Sequence, residues 1–357
     1  MEKLKIVILG LSITSSWGNG HATTYRGLVR ELAGLGHDVL FLERDVPWYA
    51  ANRDAPFAFG TTALYSDLGD LRDRFEQDVR DADFVMVGSY VPDGIAVGRW
   101  VLETAGGATG FYDIDTPVTL ARLARGNGQY IAKEMISQYG LYLSFTGGPI
   151  LEKLARDYGA NMPRAFYCSF DPELYRPGVK EPNWDLGYMG TYSRDRQPAL
   201  ESLMLEPARR WPAGRFTVAG PLYPAELQWP ANVSRVDHVN PLKHRDFYLA
   251  QKFTLNITRA DMVRAGYSPS VRLFEAAGCG VPIISDYWEG IEDFFATGAE
   301  VLISRSAAQT LEFIRDLPEA ERLAIGERAR MKALAGHTAA HRARELEGYI
   351  RDLRFQI

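Results

Sequence analysis

The sequence predicts an α/β protein built from two Rossmann-like, doubly wound domains that face one another across a cleft. Short apolar runs of strand length alternate with amphipathic stretches of helix length over roughly the first 170 residues; the pattern breaks at a proline-containing stretch and then restarts. At 357 residues the chain is long enough for two domains of ordinary size, each with its own core. The expected boundaries are 1–168 for the first domain, 169–184 for a linker, 185–335 for the second domain, and 336–357 for a C-terminal helix that crosses back to brace the first.

The chain opens on a buried strand, Lys5 to Gly10, followed by a polar loop from Leu11 to Gly20. A helix from about His21 to Leu35 carries Ala22, Tyr25, Leu28, Val29 and Leu32 on one stripe, and Gly36 ends it before the strand Asp38 to Leu42. Helices follow near 70–80, 94–104 and 119–125, with strands over 84–89, 109–112, 141–145 and 164–168; Gly147-Gly148 opens a further helix to Tyr158. Six or so strands separated by helices specify a parallel sheet. The stretch Ser169 to Trp184 has three prolines and no periodicity, as a linker would. Beyond it come strand 185–189, Gly190, helix 197–211, strands 215–220 and 234–239, helix 244–251 and strand 253–258. After the stretch Gly266 to Asp286 a short helix 291–295, a strand 301–304 and the closing helices complete the second domain.

The β–loop–α–β opening, with Gly18 and Gly20 ahead of Glu43, invites comparison with a dinucleotide-binding fingerprint. The spacing argues against it. In that fingerprint the first glycine ends the strand and the third packs the helix on the sheet, whereas here a long loop intervenes and Tyr25 and Arg26 take that place.

The densest chemistry lies in GYSPSVRLFEAAGCGVPIISD, Gly266 to Asp286. Ser268 is placed to cap a helix that Pro269 starts, and Arg272 and Glu275 would then project from the same face. A helix start spanning Ser268, Ser270 and Val271 offers free N–H groups to an anion, Arg272 adds a donor fork, and Glu275 offers acceptors to vicinal hydroxyls. The face therefore suits the phosphates and ribose of a nucleoside diphosphate. The same Arg272 and Glu275 spacing also fits a solvated i, i+3 ion pair.

Further candidates flank this stretch. Arg194 and Arg196, after Gly190, and Arg259 and Arg264, before the central loop, form a set from which at least one phosphate contact is expected. Gly18, Asn19 and Gly20 sit where backbone can approach a ligand, and His21 beside them is either a general base for an acceptor hydroxyl or a helix-end hydrogen-bonding histidine. Asp113 and Asp115 end a strand: they serve as base or acceptor-binding groups, or Asp115 caps the helix begun by Thr116-Pro117. Two carboxylates without a third ligand hold a hard cation poorly, so no metal is expected. His37 reads as structural, and His238 and His244 as weak candidates.

A net charge of −5 argues against a nucleic-acid-coating surface. The two cysteines, Cys168 and Cys279, lack metal-ligand spacing and read as buried thiols of a reducing compartment. The N-terminus enters a strand directly, and no apolar run nears the roughly 20 residues that span a bilayer. A cytoplasmic protein without a transmembrane segment is expected, with a homodimer left open.

The two domains, the glycine loop after the first strand and the segment RLFEAAGCGVPIISD resemble the GT-B class of nucleotide-sugar glycosyltransferases. More closely, Arg272 to Gly280 and the stretch WEGIEDFF, Trp288 to Phe295, resemble the CgeB-type, spore-maturation branch; the likeness is sharp over about 250–300 and diffuse elsewhere. The resemblance makes Glu275 the ribose ligand. It also places Tyr267 where retaining members carry a first glutamate, so that half of the motif is missing. It implies a glycosyltransferase that moves a sugar from a nucleotide-diphosphate sugar, bound by the second domain, to an unidentified acceptor bound by the first, with no cofactor. A sugar-nucleotide epimerase or phosphorylase on the same fold and a non-catalytic nucleotide-sugar binder stay open beside it.

Overall fold

A computed structural model of the chain describes residues 3–54 and 60–354. It divides into two compact units, one holding the residues up to Tyr167 together with those from Ala339 on, the other Cys168–Thr338. The last three residues of the expected C-terminal helix, 355–357, lie outside the described residues.

The first unit is built on a 7-stranded, wholly parallel sheet. In chain order its strands are β1 (Lys5–Gly10), β2 (Asp38–Arg44), β3 (Thr61–Tyr65), β4 (Phe84–Gly88), β5 (Ala108–Asp113), β6 (Leu141–Ser144) and β7 (Pro163–Ala165). They lie in the order β3-β2-β1-β4-β5-β6-β7, so the winding reverses between β1 and β4, the point at which such sheets bind ligands. Strand β4 is buried along its whole length, as a central parallel strand covered on both faces must be. Strand β3 escapes the sequence pattern because it is an edge: TTALY is mostly half-exposed and carries no apolar run.

Helix His21–Gly34 buries Ala22, Tyr25, Leu28, Val29 and Leu32, the stripe its spacing predicts. The C-terminal helix Ala339–Arg354 packs in the same unit. A Cβ built on Gly27 would meet Ala339 Cβ at 2.8 Å, Tyr349 Oη donates to Ala165 O at 3.3 Å, and Leu353 covers Gly140. A side chain at Gly27 would push this helix away.

The second unit has a 6-stranded parallel sheet: β8 (Trp184–Met189), β9 (Phe216–Ala219), β10 (Val233–Val236), β11 (Gln251–Asn256), β12 (Ile283–Ser285) and β13 (Leu302–Ile303), in the order β10-β9-β8-β11-β12-β13. Its core gathers Leu186, Tyr188, Met204, Phe216, Val218, Phe253, Leu255 and Ile284. Residues 169–183 form no helix or strand and Trp184, the last residue of the expected linker, already opens β8; Phe170 and Tyr175 are buried and the stretch counts with the second unit.

Two helices differ from expectation. The helix expected over 197–211 is interrupted by a π-turn at Glu201–Leu205; Pro207, which has no N–H to give its i−4 carbonyl, stands two residues beyond its end. The helix expected over 291–295 is a single 3₁₀ turn, Ile291–Asp293, entered through Gly290 at φ 84°.

Candidate functional site

In the second unit the ends of β8, β11 and β12, neighbours in the sheet, converge on helix Val271–Gly278. The loop before this helix is tightly constrained. Gly266 and Tyr267 both have left-handed φ, 68° and 48°, and Tyr267 N–H donates to Glu289 O at 2.6 Å. A tyrosine in that region stores strain, which the surroundings must hold in place.

The helix begins at Val271, not at Pro269, and its N-cap is Ser270. Ser268 lies ahead of the helix, buried, with Oγ donating to Gly266 O at 2.9 Å. Its hydroxyl is thereby tied to the loop, two residues ahead of the N-cap. Ser270 does not cap either: its Oγ donates to Asn256 Oδ1 at 2.7 Å, so the first-turn N–H groups of Val271 and Arg272 have no intrahelical acceptor.

Arg272 and Glu275 are both buried, at 7 % and 2 % exposure, and Arg272 forms no ion pair with Glu275 among the described residues. The solvated i, i+3 pair that their spacing permits is therefore not what forms. The guanidinium is instead held by main-chain and amide oxygens. Nε donates to Met189 O at 2.6 Å, Nη1 donates to Asn256 Oδ1 at 2.8 Å, and Cζ stands 4.8 Å from the Tyr188 ring centre. Nη2 has no protein acceptor among the described residues. It faces Gly190, where a Cβ would come within 3.0 Å of it and 2.6 Å of Tyr188 Oη, so the absence of a side chain keeps the fork clear.

Glu275 sits in an aromatic enclosure that the sequence did not reveal. Tyr248 Oη donates to its Oε2 at 2.9 Å and His244 Nδ1 stands 4.0 Å from the same oxygen. Tyr175 Oη lies 3.1 Å from His244 Nδ1, and His244 Nε2 lies 3.0 Å from Val239 O, which fixes that nitrogen as the one bearing hydrogen. Burial, then the Glu275 carboxylate, holds the Tyr175 and Tyr248 hydroxyls well above the ordinary phenol range. Both therefore stay protonated donors.

The four flanking arginines divide. Arg196 Nη2 donates to Thr191 O at 2.6 Å, and Arg194 is exposed. Arg259 stands 3.8 Å from the Asp195 carboxylate, and Arg264 pairs with Asp261 on its own helix. Asp195 also accepts from Ala260 N at 3.0 Å, tying the loop after β8 to the one after β11. Behind Arg272 lies Asp286, whose carboxyl is pushed up to about 6 by burial although Thr258 N–H and Oγ–H donate to it at 2.8 and 2.9 Å.

In the first unit the loop after β1 is organised by Glu43. Its fully buried carboxylate accepts from Ser12 Oγ (2.9 Å), Ile13 N (2.7 Å), Thr14 N (2.9 Å) and Thr14 Oγ1 (2.7 Å). Arg26 adds a clamp, from Nε to Ile13 O at 2.8 Å and from Nη2 to Asp54 at 2.7 Å. Gly18 takes φ 61°, and Asn19 spends its amide on the loop, donating to Ser12 O at 3.1 Å and accepting from His21 N at 3.1 Å. Gly20 is the N-cap position, and His21, half-buried at the first helical turn, meets Phe145 edge-on at 5.2 Å.

Asp113 is fully buried. It accepts from Tyr142 Oη at 2.7 Å, Thr119 Oγ1 at 2.9 Å and Asp115 N at 3.2 Å, and burial pushes its carboxyl up to about 6. Asp115 takes the N-cap position of helix Thr116–Leu123 without a side-chain cap bond; its carboxylate accepts from Tyr90 Oη at 2.6 Å instead. Asp113 and Asp115 thus point different ways, one into the core and one outward. Among the described residues no three His, Cys, Asp or Glu side chains gather as a metal site.

Asn256, His244, Tyr248 and Tyr175 are the members of this constellation that sequence reasoning missed or set aside. A polar residue closing an otherwise apolar strand, as Asn256 closes FTLN, is the one signal that was present.

Residues 196–348 match the family model described as glycosyl transferase-like. No curated protein matches the chain in sequence. Among solved structures it is similar to the sucrose-phosphate synthase of Thermosynechococcus elongatus, at 14% identity and TM-score 0.68 over 99% of both chains. It is also similar to Anabaena HepE in complex with UDP-glucose, at 12% identity and TM-score 0.70 over 98% of this chain and 100% of that one. An alpha-glucosyltransferase in complex with UDP-glucose and DNA containing an abasic site matches at 14% identity and TM-score 0.72, over 98% and 100%. At these identities the likeness is one of fold, that of the GT-B glycosyltransferases, and it agrees with the family match over the second unit.

Proposed function

We propose that the chain is a glycosyltransferase whose second unit binds a nucleotide-diphosphate sugar, with Arg272 and the first turn of helix Val271–Gly278 on the diphosphate and Glu275 on the ribose. The observation that carries this is the Arg272 guanidinium, buried and anchored through Nε and Nη1 while Nη2 faces the clearance at Gly190. A fixed cation beside unpaired helix N–H groups stabilises the charge that develops on a leaving diphosphate, and a preorganised one does so without reorganising. A uridine diphosphate sugar is the donor of choice, because the structural neighbours in complex with a nucleotide hold UDP or UDP-glucose.

Within the GT-B glycosyltransferases we place the chain in the CgeB-type branch, on the two segments RLFEAAGCG and WEGIEDFF. Tyr267 stands where retaining relatives of the wider class carry a glutamate, so stabilisation of the leaving group by Arg272, without a metal, bears more of the catalysis in this reading. Arg194 and Arg196, after Gly190, supply further positive charge to the same phosphates. The first unit takes the acceptor, with His21 as the base; Asp115 is next in order, since Asp113 is sealed in the core.

The test is calorimetry with UDP and uridine on wild type and Arg272→Ala. The expected result is a loss of about tenfold or more in UDP affinity with little change for uridine. Equal losses, or no binding of UDP, GDP, ADP or dTDP by the wild-type protein in a thermal-shift screen, would overturn the reading.

A further inference from the structure

We infer that Asn256 is the positioning residue for this site: its neutral amide fixes the Arg272 fork while leaving the cation's charge for the donor's phosphates. This inference rests on the diphosphate reading of Arg272.

Asn256 is the last residue of β11 and is fully buried. Arginine has no acceptor atom, so the Asn256 atom 2.8 Å from Nη1 must be the amide oxygen, and the orientation of the whole side chain follows. The same oxygen accepts from Ser270 Oγ at 2.7 Å. The amide nitrogen is then turned to the other side, where it donates to Ser285 Oγ at 2.9 Å; Ser285 Oγ in turn donates to Asp286 O at 2.8 Å. Every polar atom of the amide is used.

With Met189 O on Nε, the guanidinium is thereby tied to the last residues of β8 and β11, and through Ser285 to the last residue of β12. Two of its three nitrogens are committed, and the end of the fork formed by Nη1 and Nη2 is set in one place, which is the condition for bidentate contact with a phosphate.

The choice of amide over acid is what makes this a binding device. A carboxylate at 256 would occupy nearly the same volume and still accept from Arg272 and Ser270. It would also form a buried ion pair with the guanidinium, cancel the charge meant for the phosphate, and lose the donor that holds Ser285. Asp286, an acid whose charge is felt by Arg272, is instead engaged by Thr258 N–H and Oγ–H.

The test compares wild type, Asn256→Asp and Arg272→Ala by calorimetry with UDP and with uridine, with unfolding temperature followed alongside. Asn256→Asp is expected to lose about tenfold or more in UDP affinity. Its uridine affinity should change by less than about threefold, a split that a merely structural role would not produce. If Asn256→Asp does not fold, Asn256→Ser, neutral and smaller, carries the test: it withdraws the acceptor from Nη1 and should show the same split. An Asn256 variant that folds and binds UDP as wild type does, while Arg272→Ala loses it, overturns the inference and leaves the function standing. An Arg272→Ala protein that binds UDP normally overturns both.

Discussion

Replacing Asp113 by asparagine should make the protein more stable at neutral pH and progressively less distinguishable from wild type as the pH falls. The carboxyl is sealed at the end of β5, and burial raises it from 3.8 to about 6 against the opposing effect of the Tyr142, Thr119 and Asp115 N–H donors. Because the folded value lies above the unfolded one, the native state binds this proton more tightly. Between about pH 4 and pH 6 stability therefore falls as pH rises, and above about pH 6 the cost is complete. A shift from 3.8 to about 6 corresponds to about 3 kcal/mol, since one unit is about 1.4 kcal/mol. Asparagine abolishes the titration, and the Tyr142 hydroxyl can turn to accept from the new N–H group. The assay is thermal unfolding of both proteins at several pH values, where each kcal/mol moves the midpoint by roughly 2–4 °C in a unit of this size. Asp286 contributes a slope of the same sign, and His37, lowered chiefly by its own burial, one of the opposite sign; both are common to the two proteins and cancel in the difference. A midpoint difference that does not vary with pH would refute the reasoning.

Glu275→Ala should weaken UDP binding by about 1.5–3 kcal/mol in calorimetry, as expected for a charge-assisted hydrogen bond to the ribose, and unchanged affinity would remove Glu275 from the donor site. The same change strands Tyr248 Oη in the core, so a fall in unfolding temperature should accompany it, whereas Glu275→Gln should keep most of the stability. His21→Ala should abolish sugar transfer while sparing UDP binding; retained turnover would move the base elsewhere, with Asp115 next.

The alternation of apolar strand and amphipathic helix made both sheets legible, because parallel strands covered on two faces cannot hide their composition: β4 reads FVMVG and is buried throughout. The edge strand β3 was not legible, since TTALY is partly exposed and has nothing to mark it. At the site, Arg272 and Glu275 could be singled out by type and spacing, but their surroundings could not. Tyr175, His244, Tyr248 and Asn256 come from separate stretches of the chain, and only the sheet order β8-β11-β12 and the packing behind it bring them together. Ser268-Pro269 carries the pattern of a helix start, but the chain there still belongs to the loop that turns at Gly266 and Tyr267, and the helix begins two residues later than that pattern indicates.

Burial decides what each of these acids can do. Glu43 and Asp113 are both wholly buried, and each is consumed by neighbouring donors: the loop Ser12–Thr14 for Glu43, and Tyr142, Thr119 and Asp115 N–H for Asp113. A carboxylate so enclosed is scaffolding, however suggestive its place in the sequence. That is why Glu43 does not make the opening a dinucleotide site and why Asp113-Ile114-Asp115 does not behave as a paired-acid motif. Asp286 follows the same logic in the second unit, held by Thr258 N–H and Oγ–H. Beside Arg272 an inward-facing acid would defeat the purpose, and there the chain places the neutral Asn256 and the Met189 carbonyl instead. The selection of acid where a loop must be fixed, and of amide or carbonyl around the Arg272 cation, is the physical pattern that supports the anion-binding role proposed for Arg272.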